Sequence, residues 1–251
     1  MIIVGITGGI GHGKTTFASY LADNSDKHVH LESSDLIIEI ANSLRAANPV
    51  HPEPGNYAAI SHWLEALPAI LAVKVHASSQ TRQFQVTAAA VRATPENYAK
   101  LLEYLELMQL HPERQRVFID ATNKPEFRSL LQWLGGYLVK TIDAGIWFDE
   151  IVQRILVRED IHIATIGGLR FPAEAAIVQR AGGLIIRITR PDRDEPDKQD
   201  ITERERDLIQ ADIIIVNNGS LDELHLLARQ LYSDLQAGKA LPGTTYRSQT
   251  S

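Results

Sequence analysis

The chain has 251 residues and a formal net charge of −6 at pH 7, from 25 Lys and Arg against 31 Asp and Glu. This acidic balance argues against a general duplex-binding surface, which needs an excess of cations, and leaves room for a local basic cleft. Cysteine is absent, so disulfides and thiolate metal sites are excluded.

Five short apolar runs predict the strands of a sheet. Near-continuous β-branched and aliphatic residues are typical of parallel strands that are covered on both faces. In chain order the predicted strands are Ile2–Thr7, a weaker one at His28–Leu31, Ile161–Ile166, Leu184–Ile188 and Ile213–Val216. The segment RVFID (Arg116–Asp120) fits either a further strand or a short extended linker.

Amphipathic helices are predicted between these strands. A helix from Pro172 to about Arg180 has proline in its first turn and ends at two glycines. The last helix begins at Ser220, and Glu223 three residues later completes a capping box. Alternating strands and helices at both ends of the chain predict an α/β fold with a parallel sheet between two helical layers.

The middle and the end of the chain depart from this alternation. Residues 46–111 have a mostly helical pattern, broken by HPEPGN (His51–Asn56), and we interpret them as an insertion over one edge of the sheet. From Gly238 onward the apolar pattern stops, so residues 239–251 are predicted to form a loose tail.

The clearest chemical signal is GGIGHGKTT (Gly8–Thr16), which fits G-x-x-x-x-G-K-[ST] between a buried strand and an amphipathic helix. Its glycines let backbone N–H groups turn onto a polyphosphate, and the helix N-terminus adds its dipole. Lys14 would neutralise the β- and γ-phosphates of ATP, and the Thr15 hydroxyl is placed to ligate Mg²⁺. The predicted cofactor-binding residues are Gly9, Ile10, Gly11, His12, Gly13, Lys14, Thr15 and Thr16.

One loop residue, His12, could be read as a catalytic base. We interpret it instead as a variable loop position whose side chain points away from the phosphates.

The glycine loop alone does not separate kinases from ATPases and switch GTPases. A guanine-reading N-K-x-D is missing, because neither NKP (Asn123–Pro125) nor NNG (Asn217–Gly219) fits it. A DNA-motor ATPase would have a longer chain and a strand that ends in two acids. A nucleic-acid-processing ATPase is therefore a disfavoured alternative.

Three further segments carry a family resemblance. They are LLQWLGGYLVK (Leu130–Lys140) with a tryptophan at Trp147, GLRFPAEAAIVQRAGGLIIRITRP (Gly168–Pro191) and ADIIIVNNGSLDELHLLARQL (Ala211–Leu231). With the glycine loop, they resemble the phage-type deoxynucleoside monophosphate kinases, P-loop kinases close to dephospho-coenzyme A kinase. The family patterns are near L-Q-x-x-G-T-x-x-x-R, D-V-R-F-P-N-E, G-G-x-x-I-R-I-x-R-P and D-x-x-I-x-N-x-G-[ST]-L-x-x-L. The resemblance covers residues 1–16 and about 128–232, and the loop itself is closer to the dephospho-coenzyme A kinases.

The resemblance implies an α/β, three-layer P-loop NTPase fold of the nucleoside monophosphate kinase type. It implies a single domain over residues 1–238, with a core of residues 1–45 and 112–238. Residues 46–111 would be a helical acceptor-side insertion, and residues 190–207 would be a lid that closes on ATP.

Several polar residues acquire expected roles from the family patterns. Arg170 matches and would clamp a phosphate at the carboxyl end of its strand, unless it merely caps the next helix. Arg128, Gln132 and Lys140 lie close to one helical face and either read the acceptor or form the polar side of an ordinary amphipathic helix. Trp133 and Trp147 fit the core better than a base-stacking site.

The charged segment Pro191–Asp207, which follows the predicted strand Leu184–Ile188, would bring arginines to the transferring phosphoryl group. Arg190 and Arg193 are the preferred catalytic pair. The full set of candidates is Arg187, Arg190, Arg193, Arg204 and Arg206.

Departures from the family patterns concern the metal and the acceptor. Gly168 stands where the family has an acid that helps to hold Mg²⁺, and Asp35 after the second strand is expected to share this task. Otherwise metal affinity is weak or catalysis has been lost. Gly136 and Lys140 replace a threonine and an arginine.

The expected function is phosphorylation of a (deoxy)nucleoside monophosphate to the diphosphate, with ATP and Mg²⁺ as cofactors. The alternatives are a dephospho-coenzyme A kinase and a nucleotide-binding protein without kinase activity. No stable nucleic-acid or membrane partner is expected, and a homodimer is compatible with the sequence. With no secretory signal or membrane-length apolar run, the expected location is the cytoplasm of a bacterium or a phage-infected host.

Overall fold

A computed structural model describes residues 1–48, 50–75, 94–95, 98–141, 145–191, 201–240 and 242–248, without the side chains of residues 141 and 201–203. The contacts divide the chain into two compact units. The sheet unit comprises Met1–Ser33 with Arg154–Ser251, and the helical unit comprises Ser34–Gln153. No helix within these described ranges has both the length and the apolar character that a bilayer crossing requires.

The sheet unit is built on six strands that pair only in parallel, in the order β2-β3-β1-β4-β5-β6. The strands are β1 (Ile2–Gly8), β2 (His28–Glu32), β3 (Ile163–Gly167), β4 (Leu184–Thr189), β5 (Ile213–Val216) and β6 (Thr244–Arg247). The first five confirm the predicted strands within about two residues at each end. Because all strands run the same way, their carboxyl ends meet at one edge of the sheet, where the following loops converge.

Four helices of the sheet unit follow its strands: α1 (Lys14–Ala22), α8 (Pro172–Arg180), α9 (Ile201–Asp207) and α10 (Leu221–Gln236). The α1 and α10 helices pack together over one face of the sheet, in a core that includes Phe17, Leu21 and Leu231. The α8 helix contacts β1 and β4 without joining that core. The fold is therefore the predicted three-layer α/β arrangement of P-loop NTPases.

The helical unit contains α2 (Ser33–Ala47), α3 (Tyr57–Trp63), α4 (Leu67–Lys74), α5 (Ala99–Leu110), α6 (Arg128–Thr141) and most of α7 (Ile146–Leu156). Short 3₁₀ turns lie at Leu64–Ala66, Pro112–Arg116 and Lys124–Phe127. The α5 and α6 helices make extensive contact. Arg45 is buried, and its guanidinium donates to the carbonyl oxygens of Arg114, Gln115 and Val117 at 2.6–2.8 Å.

The helical unit extends beyond the predicted insertion. It covers residues 34–153, which include the predicted insertion of residues 46–111 together with α2, α6 and most of α7. The segment Arg116–Asp120 is not a strand: its last four residues form an extended linker. Asn42 takes the place of a neighbouring strand by accepting from Ile119 N at 2.9 Å and donating to Ile119 O at 2.8 Å.

The C-terminal segment also differs from the predicted loose tail. Residues 244–247 form β6, which pairs with β5 from Ile213↔Thr244 to Val216↔Arg247. The Tyr246 hydroxyl also hydrogen-bonds the Asp234 carboxylate of α10 at 3.0 Å. Backbone pairing therefore holds β6 at the sheet edge, although its sequence has no apolar pattern. Of the predicted lid, residues 192–200 lie outside the described residues, and the final part forms α9.

Candidate active site

The glycine loop connects the carboxyl end of β1 to the first turn of α1. The Lys14 side chain folds back across the loop, and its Nζ donates to Gly8 O at 2.8 Å and to Gly9 O at 2.7 Å. One ammonium group thus joins the start of the loop to the start of the helix. This arrangement fixes a cation at the mouth of a turn that is rich in backbone N–H groups.

The conformation of Gly13 in the loop is one that a side chain would disturb. Gly13, which precedes α1, has a φ of 93°. A Cβ at Gly13 would also lie 2.7 Å from Asn217 Nδ2. That amide donates to His12 O at 2.9 Å, and Asn217 is only 5% exposed. The residue after β5 therefore braces the loop from the neighbouring part of the sheet.

His12 packs inside the loop rather than extending into solvent. Its ring lies against Gly9, where a Cβ would come within 2.6 Å of ring atoms. The Nδ1 atom lies 3.2 Å from Gly9 N and 3.2 Å from Ile188 O. Nδ1 accepts from Gly9 N in one tautomer or donates to Ile188 O in the other, so the tautomer decides which hydrogen bond forms. The ring therefore supports the loop from the β4 side.

The remaining loop residues are open to solvent to different degrees. Ile10 is 72% exposed, and Gly11 is exposed beside it. The Thr15 side chain is exposed in the first turn of α1, whereas Thr16 is half-buried. An exposed hydroxyl at the positive end of a nine-residue helix can reach a ligand placed on the loop.

The carboxyl end of β3 presents Arg170 beside a buried carboxyl group. Arg170 is exposed, while its backbone N–H donates to Glu174 Oε2 at 2.7 Å and Phe171 N donates to the same oxygen at 3.1 Å. Glu174 is 6% exposed, and burial raises the pKa of its carboxyl group to about 7. Glu174 thus positions the turn that carries Arg170.

Glu32, the last residue of β2, reaches over the end of β3. Its backbone pairs with Gly167, and a Cβ at Gly167 would lie 2.8 Å from the Glu32 carboxyl carbon. A Cβ at Gly168 would lie 3.6 Å from Glu32 Oε2. Gly168 also has a φ of 81°, which favours glycine. The two glycines therefore leave room for a carboxylate that comes from the neighbouring strand.

The arginines in and after β4 have different surroundings. The Arg187 guanidinium donates to the carbonyl oxygens of Arg206 at 3.1 Å and Ile209 at 2.5 Å, so it ties β4 to the end of α9. Arg190 is half-buried and Arg204 is exposed. Arg206 is buried, and its guanidinium contacts the Asp207 carboxylate at 3.1 Å. Arg193 lies outside the described residues.

A groove lies between α5 and α6 within the helical unit. It has a volume of about 210 Å³ and is lined by Ala99, Lys100, Gln132, Trp133, Gly136, Tyr137 and Lys140. Gln132, Gly136 and Lys140 are exposed at four-residue intervals along α6. Beneath them, the rings of Trp133 and Tyr137 stack at 5.1 Å between centroids and 16° between planes. The groove combines two lysines with an amide and an aromatic floor.

A comparison with protein-family models was made on the whole chain. The model described as deoxynucleotide monophosphate kinase matches residues 70–227, which is more than half of the chain. The chain belongs to this family. Its members are kinases, and membership supports deoxynucleotide monophosphate kinase activity in general terms. The comparison with curated proteins found no match.

The matched range tells which features the deoxynucleotide monophosphate kinase family model includes. It contains α6 with the groove residues, Gly168 to Glu174, and β5 with Asn217. It also begins inside the helical segment for which the sequence offered no motif. The glycine loop precedes the match, so its role rests on its own geometry and sequence. The predicted family is confirmed.

The residues expected at the site divide between the two units. The glycine loop, Arg170 and Arg190 belong to the sheet unit. Asp35, Arg128, Gln132 and Lys140 belong to the helical unit, and of these only Gln132 and Lys140 line the groove. Asp35 and Arg128 are exposed in the first turns of α2 and α6. Trp147 is buried and donates to Gly135 O at 3.1 Å, as expected of a core residue.

Sequence reasoning did not assign Asn217, Glu32 or Lys100 to the site. Asn217 was within reach, because it is the asparagine of the N-x-G pattern that carries part of the family resemblance. Lys100 had no signal, since it is one of several charges on a helix without a motif. Glu32 is a single acid at a strand end, and only the register with Gly167 shows where its carboxylate lies.

Proposed function

We propose that this member of the deoxynucleotide monophosphate kinase family transfers the γ-phosphoryl group of ATP to a deoxynucleoside monophosphate, giving the diphosphate and ADP. The observation that carries the proposal is the closed glycine loop. Lys14 Nζ is held at 2.7–2.8 Å from two loop carbonyls at the N-terminus of α1. Backbone donors, a helix dipole and a fixed ammonium suit a triphosphate group.

The sheet unit supplies the donor side of the reaction. ATP would lie with its phosphates against the N–H groups of residues 9–16, with Lys14 beside the β- and γ-phosphates. The exposed guanidinium of Arg170, on a turn fixed by Glu174, would bind a phosphate through two parallel hydrogen bonds. Arg190 and Arg193 would approach the transferring group from the segment after β4.

Mg²⁺ fits the oxygen donors that the sheet unit presents. Thr15 offers an exposed hydroxyl, and Glu32 offers a carboxylate at the same edge of the sheet. Mg²⁺ at nucleotide sites binds one or two protein oxygens together with phosphates and water. When bound, it neutralises charge on the phosphates. No described group of three or more His, Cys, Asp or Glu residues forms a separate metal site.

The helical unit supplies a binding site for the acceptor. The groove between α5 and α6 is large enough for part of a nucleotide, and Lys100 and Lys140 give it cations for a phosphate. Gln132 can donate to and accept from a base edge. Arg128 begins the same helix, and Asp35 in the first turn of α2 is a second candidate to orient the acceptor.

The transfer asks for positioning more than for covalent chemistry. An oxygen of the acceptor phosphate forms a bond to the γ-phosphorus, the bond from that phosphorus to the β–γ bridging oxygen breaks, and ADP leaves with the bond's electron pair. The acceptor phosphate is already ionised near neutral pH, so a general base is not required. Lys14, Arg170 and an arginine after β4 neutralise the charge that the two phosphate groups bring together.

A coupled phosphorylation assay across all deoxy- and ribonucleoside monophosphates, with dephospho-coenzyme A as an additional acceptor, tests this function. The wild-type chain should turn over one or more deoxynucleoside monophosphates in the presence of ATP and Mg²⁺. Lys14→Ala should reduce kcat by about 10³-fold, because it removes a cation from the transferring phosphates. Lys27→Ala, which removes an exposed cation near β2, is the matched control and should retain activity.

The outcomes separate the proposal from its alternatives. Turnover of dephospho-coenzyme A and of no nucleotide would assign the chain to the other kinase class. Binding of ATP without phosphorylation of any acceptor at high Mg²⁺ would indicate a nucleotide-binding protein. DNA-stimulated ATP hydrolysis without an acceptor product would indicate a nucleic-acid-dependent ATPase. Absence of ATP binding by the folded chain would remove the basis of the proposal.

A further inference from the structure

We propose that Glu32 is the metal-site acid of this kinase. It would replace the acid that the family pattern has at the position of Gly168. The inference rests on the proposed function, since it concerns the Mg²⁺ that accompanies ATP. It assigns a task to a residue at the end of β2 that neither the sequence patterns nor the family match singles out.

The first argument is the space that the Glu32 carboxylate occupies. Glu32 pairs with Gly167, so its side chain starts at the level where β3 ends. The carboxyl carbon lies 2.8 Å from the position of a Cβ at Gly167, and Oε2 lies 3.6 Å from that of a Cβ at Gly168. The carboxylate therefore fills the space that a side chain on the end of β3 would otherwise fill.

The second argument is the direction in which this side chain reaches. The strand order places β3 between β2 and β1, and β1 leads into the glycine loop. Neighbouring strands lie about 4.8 Å apart. A carboxylate over the end of β3 is therefore one strand closer to the loop than its own backbone. That leaves about 5 Å to β1 at the level of Ile6, two residues before Gly8, so a metal ion and its bound waters beside the loop would be needed to connect the carboxylate to it.

The third argument is a hydrogen-bonded chain that orients the carboxylate. His30 Nε2 lies 3.3 Å from Glu32 Oε1, and His30 Nδ1 lies 2.8 Å from Thr165 Oγ1. The same hydroxyl lies 2.9 Å from His28 Nε2. Burial lowers the pKa of His28, which keeps that ring neutral.

The Glu32 carboxylate sets the direction of the hydrogen bond at its own end of this chain. Because Glu32 only accepts, His30 Nε2 must donate to it. The Thr165 hydroxyl lies within hydrogen-bond distance of both His30 Nδ1 and His28 Nε2, so it links the two rings. His30 is thus a positioning residue that holds the Glu32 carboxylate over the end of β3.

The surroundings of Glu32 also suit reversible binding of the Mg²⁺ that accompanies ATP. Its side chain is 29% exposed and that of His30 is 21% exposed, so the carboxylate is ordered at a surface and not enclosed in the core. Asp35, the acid expected from the sequence, is more exposed, and it lies in the first turn of α2 within the helical unit. The geometry therefore favours Glu32 for the metal and leaves Asp35 as a candidate for the acceptor.

The test measures nucleotide binding rather than turnover. Calorimetry would give the Kd for ATP with excess Mg²⁺ and with EDTA, for the wild type, Glu32→Gln and Glu159→Gln. Glu159 is an exposed acid four residues before β3, at the opposite end of that strand, and is the matched control. Mg²⁺ should strengthen ATP binding in the wild type. Glu32→Gln should reduce that gain by about 10- to 100-fold, while binding in EDTA should be unchanged or tighter because a negative charge is removed.

The outcomes distinguish this inference from the proposed function. A wild type that does not bind ATP would refute the function itself. A wild type that binds ATP and a folded Glu32→Gln variant with the same gain from Mg²⁺ would refute the assignment of Glu32 alone. A variant with unchanged Mg²⁺ dependence but a raised KM for the acceptor would also overturn it, because Glu32 would then contact the acceptor. His30→Gln should lower the gain in the same direction as Glu32→Gln and by a smaller factor.

Discussion

The glycine loop and the groove between α5 and α6 both present cations, but they are built in different ways. The loop is one continuous segment whose cation, Lys14, bonds to carbonyls only five and six residues before it. The groove takes Lys100 from one helix and Lys140 from another, forty positions apart along the chain. In the proposed function, donor binding is therefore encoded locally, and acceptor binding depends on how helices pack.

This difference indicates where each site is vulnerable. The loop conformation depends on a few contacts from the adjacent strands, so changes there should alter folding and ATP binding together. The exposed groove residues lie on α5 and α6, and the buried residues of these helices lie beneath them. Changes to the exposed groove residues should alter acceptor binding and leave stability nearly unchanged. The following four changes test this contrast, two on each side.

The largest effect is expected at Glu174, which supports the turn of Arg170 in the same unit as the loop. Burial raises the pKa of its carboxyl group from 4.5 to about 7 in the folded chain. Between those values the folded state holds a proton that the unfolded state has released, so this group makes the protein less stable as the pH rises. The change amounts to about 3 kcal/mol in the free energy of unfolding. Glu174→Gln keeps an acceptor for both backbone N–H groups and should remove this dependence.

Denaturant unfolding from pH 4 to pH 8 would measure it. The wild type and Glu174→Gln should diverge progressively across pH 4.5 to 7, with the variant relatively more stable at the upper end. Glu223→Gln alters the capping box at the start of α10, which is open to solvent, and is the matched control. Parallel pH profiles for the wild type and Glu174→Gln would contradict the expected titration.

The second change on the loop side is Asn217→Ala. It leaves His12 O without its 2.9 Å hydrogen bond and removes the side chain that packs on Gly13. Loss of a buried polar partner should cost about 2 kcal/mol of folding stability. It should also weaken ATP binding by about tenfold, since the loop would lose part of its brace. Asn218→Ala, at the exposed neighbour, should change neither quantity in unfolding and ATP titrations. Reduced stability with unchanged ATP affinity would show that Asn217 supports the fold and not the loop.

The same contrast explains how much of the molecule the sequence predicts. The loop, the helix Pro172–Arg180 and the capping box of Ser220 with Glu223 were all predicted at their observed positions. Each depends on glycine, proline or capping residues within a few positions of one another. Local rules of backbone conformation are therefore sufficient for them.

The features that the sequence does not predict depend on distant parts of the chain. β6 is a short edge strand with little apolar pattern, and it is defined by its pairing with β5. The location of the Glu32 carboxylate follows only from the register of Glu32 with Gly167. Lys100 joins Lys140 because α5 packs on α6. The spacing of Arg128, Gln132 and Lys140 identified one face of a helix but not the helix that faces it.

On the groove side, Lys140→Ala should affect the acceptor alone. Lys140 is exposed, so its loss should change the free energy of unfolding by less than about 0.5 kcal/mol. If its ammonium contacts the acceptor phosphate, the KM for the acceptor should rise about tenfold, a difference of about 1.4 kcal/mol, with the KM for ATP unchanged. Arg116→Ala removes an exposed cation of the same unit outside the groove and is the control. A raised KM for ATP instead would place Lys140 on the donor side.

The smallest effect is expected at Gly136, where an added side chain should stabilise the protein. A Cβ at Gly136 meets no heavy atom within 4 Å, whereas a Cβ at Gly135 would lie 3.0 Å from Ile37 Cδ1. Both residues lie in the interior of α6, where replacing glycine by alanine stabilises a helix by about 1 kcal/mol. Gly136→Ala should therefore raise the free energy of unfolding by about that amount, and Gly135→Ala should gain less because Ile37 must move.

Steady-state kinetics would then show whether the added methyl group weakens acceptor binding by the stabilised variant. Because Gly136 lies between Gln132 and Lys140 on the groove wall, an added methyl should raise the acceptor KM by a fewfold. Gly135→Ala faces the core and should leave that KM unchanged. A Gly136→Ala variant that is more stable and binds the acceptor as tightly as the wild type would place the acceptor outside the groove, because a nucleotide in contact with this surface cannot ignore a side chain added to its wall.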